Sequence, residues 1–225
     1  MVSADAFSIS TAAQLWEITD CVSEAGAPQI YFELANDIVA EASPYPIGYN
    51  NGGSRDPFTG VLNGNDKTIT ANMSAVDYAE SGNYGVGLFS LLDTATISNL
   101  FISGSFTTTT SVRDILQHSA GALAISAVGT IVLSSITNEA VVSGVDNVGG
   151  LIGWAEDRVR VTESTNSQTI SGADYVGGLF GTVEGPSVIE LSHNTGPVAA
   201  SGSWVGGPLG LAYEVELDSS YNSGK

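Results

Sequence analysis

The chain has 225 residues, 43% of them apolar, and carries 24 acidic against 6 basic side chains for a net charge of −18. That apolar content suffices for a core, while the charge excludes nucleic acid and anionic lipid as natural partners, because both would be repelled. A single cysteine, Cys21, excludes an internal disulfide, a cysteine zinc cluster and a CxxC redox pair.

In chain order, Val2, Ser3 and Ala4 have the small-residue character of a signal cleavage site. Thr11 and Gln14 form a capping-box signature, Leu15, Ile18 and Val22 share one helical face, and Gly26 and Pro28 stop the pattern, which predicts a helix over about 11–25. "YFELANDIVA" reads as a strand and "SPYPIGYNNGGSRDPF" as a Pro- and Gly-rich loop. Residues 1–56 are therefore expected to be an N-terminal cap covering the first coil of a solenoid that occupies 57–225. The uncharged run from Ile115 to Asn138 approaches the length of a membrane span, but hydroxyl residues and glycines interrupt it and it falls into the repeat register. No membrane insertion is expected.

That register is the main feature of the sequence. "AGALAI" (120–125), "VGGLIG" (148–153), "VGGLFG" (176–181) and "VGGPLG" (205–210) align, with "GVGLFS" (85–90) as a degenerate first copy. Leu123, Leu151 and Leu179 lie 28 residues apart. Asn138, Asn166, Asn194 and Asn222 keep the same period of 28 in "SSITN", "TESTN", "ELSHN" and "DSSYN". A Ser-Gly pair (143–144, 171–172, 201–202) keeps the beat once and then slips by two, which places a small insertion around Pro197 to Ala200.

Fixed-period repeats mark solenoids. The segments between markers, such as "TIVLSSI" and "EAVVSG", are strand-like, with Gly, Asn and Asp as punctuation. Coiling such rungs puts each strand on its equivalent at about 4.8 Å. Leu123, Leu151 and Leu179 would then form an inward aliphatic ladder, with Val148, Val176 and Val205 as another. The glycines would allow a tight corner or close backbone approach. Asn138, Asn166, Asn194 and Asn222 would form a structural amide ladder at a turn, in a position tolerant of left-handed backbone. "SSYNSGK" stops within a rung, so the chain is expected to be part of a longer protein.

These motifs resemble the GLUG-motif repeats of bacterial and archaeal surface proteins. The lead-in is similar too: "L-x-x-D-I" at Leu34 to Ile38, "PIG" at Pro46 to Gly48, "FTGVLNGNDKTI" at Phe58 to Ile69, and "GLFSLLDTATISNL" at Gly87 to Leu100. Where the family usually has Asp-Gly-Asn-Gly, this chain has Asn63, Gly64, Asn65 and Asp66. The resemblance implies a right-handed parallel β-helix displayed outside the cell in adhesin-like proteins. Some relatives carry a metallopeptidase domain, but this chain has only His118 and His193 and no HExxH.

Candidate chemistry is confined to turns. Glu156 and Glu184 are one period apart and would stack, spaced to share a calcium ion or a proton. With Asp157, Arg158, Arg160 and Glu163 they also suit a carbohydrate-active β-helix enzyme, although a solvated corner relieved by Arg158 explains them as well. Trp154, Tyr175 and Trp204 flank the repeated phrase and could stack on sugar faces or simply close a corner. The run Thr107–Thr110 has no equivalent in later rungs and reads as a polar strand or loop.

The sequence thus predicts an all-β parallel β-helix with rungs of about 28 residues and a helical cap. It is expected to act as a non-catalytic, extracellular adhesin-like or spacer module, binding a host or neighbouring-cell protein or glycan, or other copies of itself. A polysaccharide lyase or hydrolase and a filament or sheath subunit are the alternatives. No cofactor is expected apart from calcium at the acidic pair.

Overall fold

The computed structural model describes residues 6–21, 29–40, 45–49, 56–74, 76–78, 83–108 and 118–224. The strands form sheets of fourteen, five and six strands that wind through about six turns, with rungs about 29 residues apart, as a parallel β-solenoid. Among the described residues the hairpin of Val76–Tyr78 with Asn83–Val86 is the antiparallel exception.

The 28-residue beat is a pairing register. Ile152 pairs with Phe180, Val148 with Val176 and Asn166 with Asn194. One earlier rung is longer: Thr107 pairs with Ser143 and Ala120 with Val148, so eight extra residues lie between Thr107 and Ala120. A later one-residue insertion lies between Ala200 and Val205, because Gly172 pairs with Ala200 whereas Val176 pairs with Val205. It does not lie at 197–200, where the shifted Ser-Gly pair placed it. Ala199 and Ala200 occupy the strand positions of Ser171 and Gly172, and Ser201 and Gly202 follow as a bend whose N–H groups still bond the Gly172 and Ala173 carbonyls.

The long sheet also crosses the 56/57 boundary. Phe7–Ile9 pairs with Tyr31–Leu34, which pairs with Val61–Ser74. The lead-in already supplies solenoid strands, and Phe32, Phe58 and Phe89 extend one interior row of rings with centroids 6.0 and 4.9 Å apart. The helix is Ala12–Cys21, shorter than the span expected over about 11–25; residues 22–28 and half of the 43–58 loop lie outside the described residues. Thr11 Oγ1 accepts the Gln14 N–H at 3.3 Å, and Gln14 Oε1 reaches past the cap to accept the Ser10 N–H at 2.8 Å. Leu15 and Ile18 are fully buried in the common core.

Alternation along the strands fixes the core. In Thr130–Ser143, Ile131, Leu133, Ile136, Ala140 and Val142 point inward. Leu133 lies between Ile97 and Val161, with Ile189 beyond, all at 0% exposure. Each such side chain contributes about 1.5–3 kcal/mol by burial. Leu123, Leu151 and Leu179 are also fully buried, and their backbones pair at 2.8–2.9 Å, with Pro208 taking the next place.

The glycine phrase is explained by close approach, since none of its glycines has positive φ. A methyl on Gly177 would meet the backbone of Phe180, Gly210 and Leu209; one on Gly181 would meet the Asn147–Val148 backbone of the preceding rung. The middle glycines, Gly150, Gly178 and Gly207, lie against Asn166, Asn194 and Asn222. The two sequence markers therefore touch across the interior, and the missing side chain makes room for the amide.

The asparagines differ from expectation in conformation. Asn138, Asn166 and Asn194 are buried strand residues without left-handed backbone. Most left-handed positions instead form three rows at other corners: Thr94, Gly129, Asp157, Gly185 and Glu214; Asn99, Ser135, Glu163, Leu191 and Ser219; and Asn147, Tyr175 and Trp204. Left-handed backbone costs a non-glycine residue about 1–2 kcal/mol, and the ladders on either side of each corner impose it. Asn65 and Asp66 are left-handed as well, at the point where the register shifts between Asn63 and Lys67.

Candidate functional site

The amide ladder is continuous. Asn138, Asn166 and Asn194 each donate Nδ2 to the Oδ1 of the next asparagine at 2.7 Å. Each also donates to the carbonyl two residues on, at 2.8–3.0 Å. A serine ladder runs beside it: the hydroxyls of Ser164, Ser192 and Ser220 accept the N–H of Ile136, Ser164 and Ser192 at 3.0–3.1 Å. These buried polar groups are satisfied from rung to rung, which identifies them as structural elements.

Glu156 and Glu184 lie at a corner, with backbone bonds to Ala127 and Ala155 of the preceding rungs at 2.9 and 2.8 Å. Partial burial first, then the charges of Glu184 and Asp157, hold the Glu156 carboxyl above the usual carboxylate range. Arg158, expected to relieve this repulsion, forms no ion pair there among the described residues and lines a groove described below. Among the described residues no group of three or more His, Cys, Asp or Glu side chains converges. The pair by itself offers a cation two carboxylates, fewer oxygens than the six to eight that calcium takes.

The aromatic candidates separate. Tyr175 and Trp204 stack on a corner, with centroids 6.2 Å apart and planes within 12°. Trp154 lies in the five-stranded sheet between Ser126 and Thr182 and takes no part in that stack. Trp204 is 57% exposed, so its ring is open to a ligand.

A groove of about 460 Å³ on the outer face of the long sheet is the concave feature the sequence reading did not assemble. Arg158 and Arg160 stand on one side, backed by Thr130 and Val132 of the preceding rung, Glu214 and Glu216 stand on the other, and Pro186 and Val188 lie between them. The alternation that buries Val159 and Val161 projects both arginines outward. Arg160 is held by Glu190 at 3.1 Å, while no carboxylate among the described residues comes within ion-pair distance of Arg158. The signal was available: writing the sequence in rows of 28 places Arg160, Val188 and Glu216 over one another, as the pairing does. It does not stand out because inward ladders repeat a residue type, whereas this outward row changes type at every rung.

No helix among the described residues is long and apolar enough to cross a membrane. No family model and no curated protein matches the chain. The fold is similar to that of a solved Bacteroides ovatus protein named as a candidate immunoglobulin A1 protease, with a TM-score of 0.71 and 19% identity over 100% of this chain and 68% of that one. At that identity the likeness shows the fold alone.

Proposed function

We propose that this chain is a rigid, non-catalytic module of a cell-surface or secreted protein of GLUG-repeat type, which holds a binding surface away from its attachment point. The observation that carries this reading is the unbroken amide ladder from Asn138 to Asn222 inside three continuous sheets. Each rung adds about 4.8 Å of stiff length, and its polar interior is spent on holding rungs in register. Binding falls to the outer face and corners, where side chains vary from rung to rung without disturbing the ladders.

Adhesion assays on glycan and matrix-protein arrays, alongside incubation with acidic polysaccharides and with immunoglobulin A1, test this reading. Saturable array binding with no product is expected. Immunoglobulin A1 cleavage, or sugar products that disappear in Glu156→Ala, would make the protein an enzyme and overturn it.

A further inference from the structure

The groove has a charge pattern that selects its occupant. Among the described residues the basic side chains are Lys67, Arg158 and Arg160, so two of these three cations share one wall of one groove on a chain of net charge −18. Glu214 and Glu216 face them across Pro186 and Val188, two rungs away, or roughly 10 Å between backbones. The opposed walls do not close on each other: the ion pair that forms, Arg160 with Glu190, lies one rung over. What remains is a narrow trough with a positive side, an apolar floor and a negative side.

We propose that this trough binds an extended polypeptide segment of a partner protein in which acidic and basic residues alternate. Arg158 and Arg160 are next-but-one neighbours on a strand, so their side chains repeat at about 6.6 Å along the groove. An extended peptide has that same repeat on each of its edges. Laid along the floor, it turns one residue in two toward the arginines and the others toward the glutamates. Carboxylates at the first set and ammonium or guanidinium groups at the second satisfy both walls. Its backbone rests on a floor whose side chains there, Pro186 and Val188, are apolar. A polyanion meets the repulsion of the whole chain, and a polycation loses the arginine wall. Arg160, already oriented by Glu190, presents the more fixed contact, and Arg158 the free one.

This deepens the binding half of the proposed function and does not depend on the rod's role as a spacer. The probe is a short fluorescein-labelled peptide of alternating Glu and Lys, titrated by anisotropy against the folded chain. All-Glu, all-Lys and Gln-Thr peptides of equal length and an oligouronate serve as competitors. Saturable binding of the alternating peptide is expected, weakened about tenfold in Arg158→Ala/Arg160→Ala and again in Glu214→Gln/Glu216→Gln, since exposed pairs contribute little singly. Binding should also weaken as salt is raised. All four side chains face outward, so circular dichroism should report an unchanged fold. No saturable binding, binding by either double variant as tight as by the unaltered chain, or tighter binding of the all-Lys peptide or the oligouronate overturns the proposal. Array adhesion that persists without peptide binding would leave the adhesive reading standing and this one refuted.

Discussion

Asn166→Ala removes the middle of the amide ladder, and its effect can be worked from the contacts. Asn166 accepts from Asn138 at 2.7 Å, donates to Asn194 at 2.7 Å and to the Gln168 carbonyl at 2.8 Å, and accepts the Gln168 N–H at 3.3 Å. Asn138 keeps its bond to the Ala140 carbonyl, whereas Asn194 Oδ1 loses a partner in a region closed to water and the Gln168 backbone loses two at its edge. Two buried bonds at about 1–1.5 kcal/mol each and two part-buried ones at about 0.5 kcal/mol each give a loss of about 3–4 kcal/mol. Asn222→Ala is the control: Asn222 is exposed, and water replaces its bonds to Asn194 and the Gly224 carbonyl, for a loss under about 1 kcal/mol. Urea unfolding followed by far-ultraviolet circular dichroism measures both, with the denaturant slope checked for cooperativity, because repeat proteins can unfold in parts. Equal losses at the two positions, or a loss under about 1 kcal/mol at Asn166, would refute the idea that buried amides hold the rungs in register.

Glu156→Gln should raise the melting temperature at neutral pH. The folded chain holds the Glu156 proton more tightly than the unfolded chain does, so its contribution falls as pH rises through the ordinary carboxylate range toward the raised folded value, then levels off. Melting curves between about pH 4 and 7 should be flatter in the variant, and parallel curves would count against the crowded-carboxylate account. Gly177→Ala should cost about 1–3 kcal/mol, because its methyl would meet only backbone, with Gly210 N at 2.5 Å and Leu209 C at 2.7 Å. Unchanged urea stability would mean that the phrase is not a close-approach element. Trp204→Ala should cost about 0.5–1.5 kcal/mol through the lost stack on Tyr175. A neutral result by the same assay would show that the two rings are independent.

The 28-residue beat, the inward leucines and the asparagine row were legible because every rung places them in the same environment. Leu151 has Leu123 on one side and Leu179 on the other, and Asn166 has Asn138 and Asn194, so one residue type satisfies each row. The left-handed corners were not legible. Their rows mix Thr94, Gly129, Asp157, Gly185 and Glu214, since flanking ladders impose the angle on whatever residue is there. The proximity of Glu156 to Glu184 followed from the period, while the direction taken by Arg158 depended on which side of its strand faces outward.

The sequence by itself determined the all-β repeat and the identity of its buried rows, because like must stack on like in a core coiled at constant pitch. Tertiary structure alone decided that Phe7–Ile9 already belongs to the long sheet, that the asparagines are strand residues, and that arginine and glutamate rows two rungs apart flank a groove. Outward side chains answer to neighbours on other rungs and to water, and a repeat written along one chain carries no rule for them.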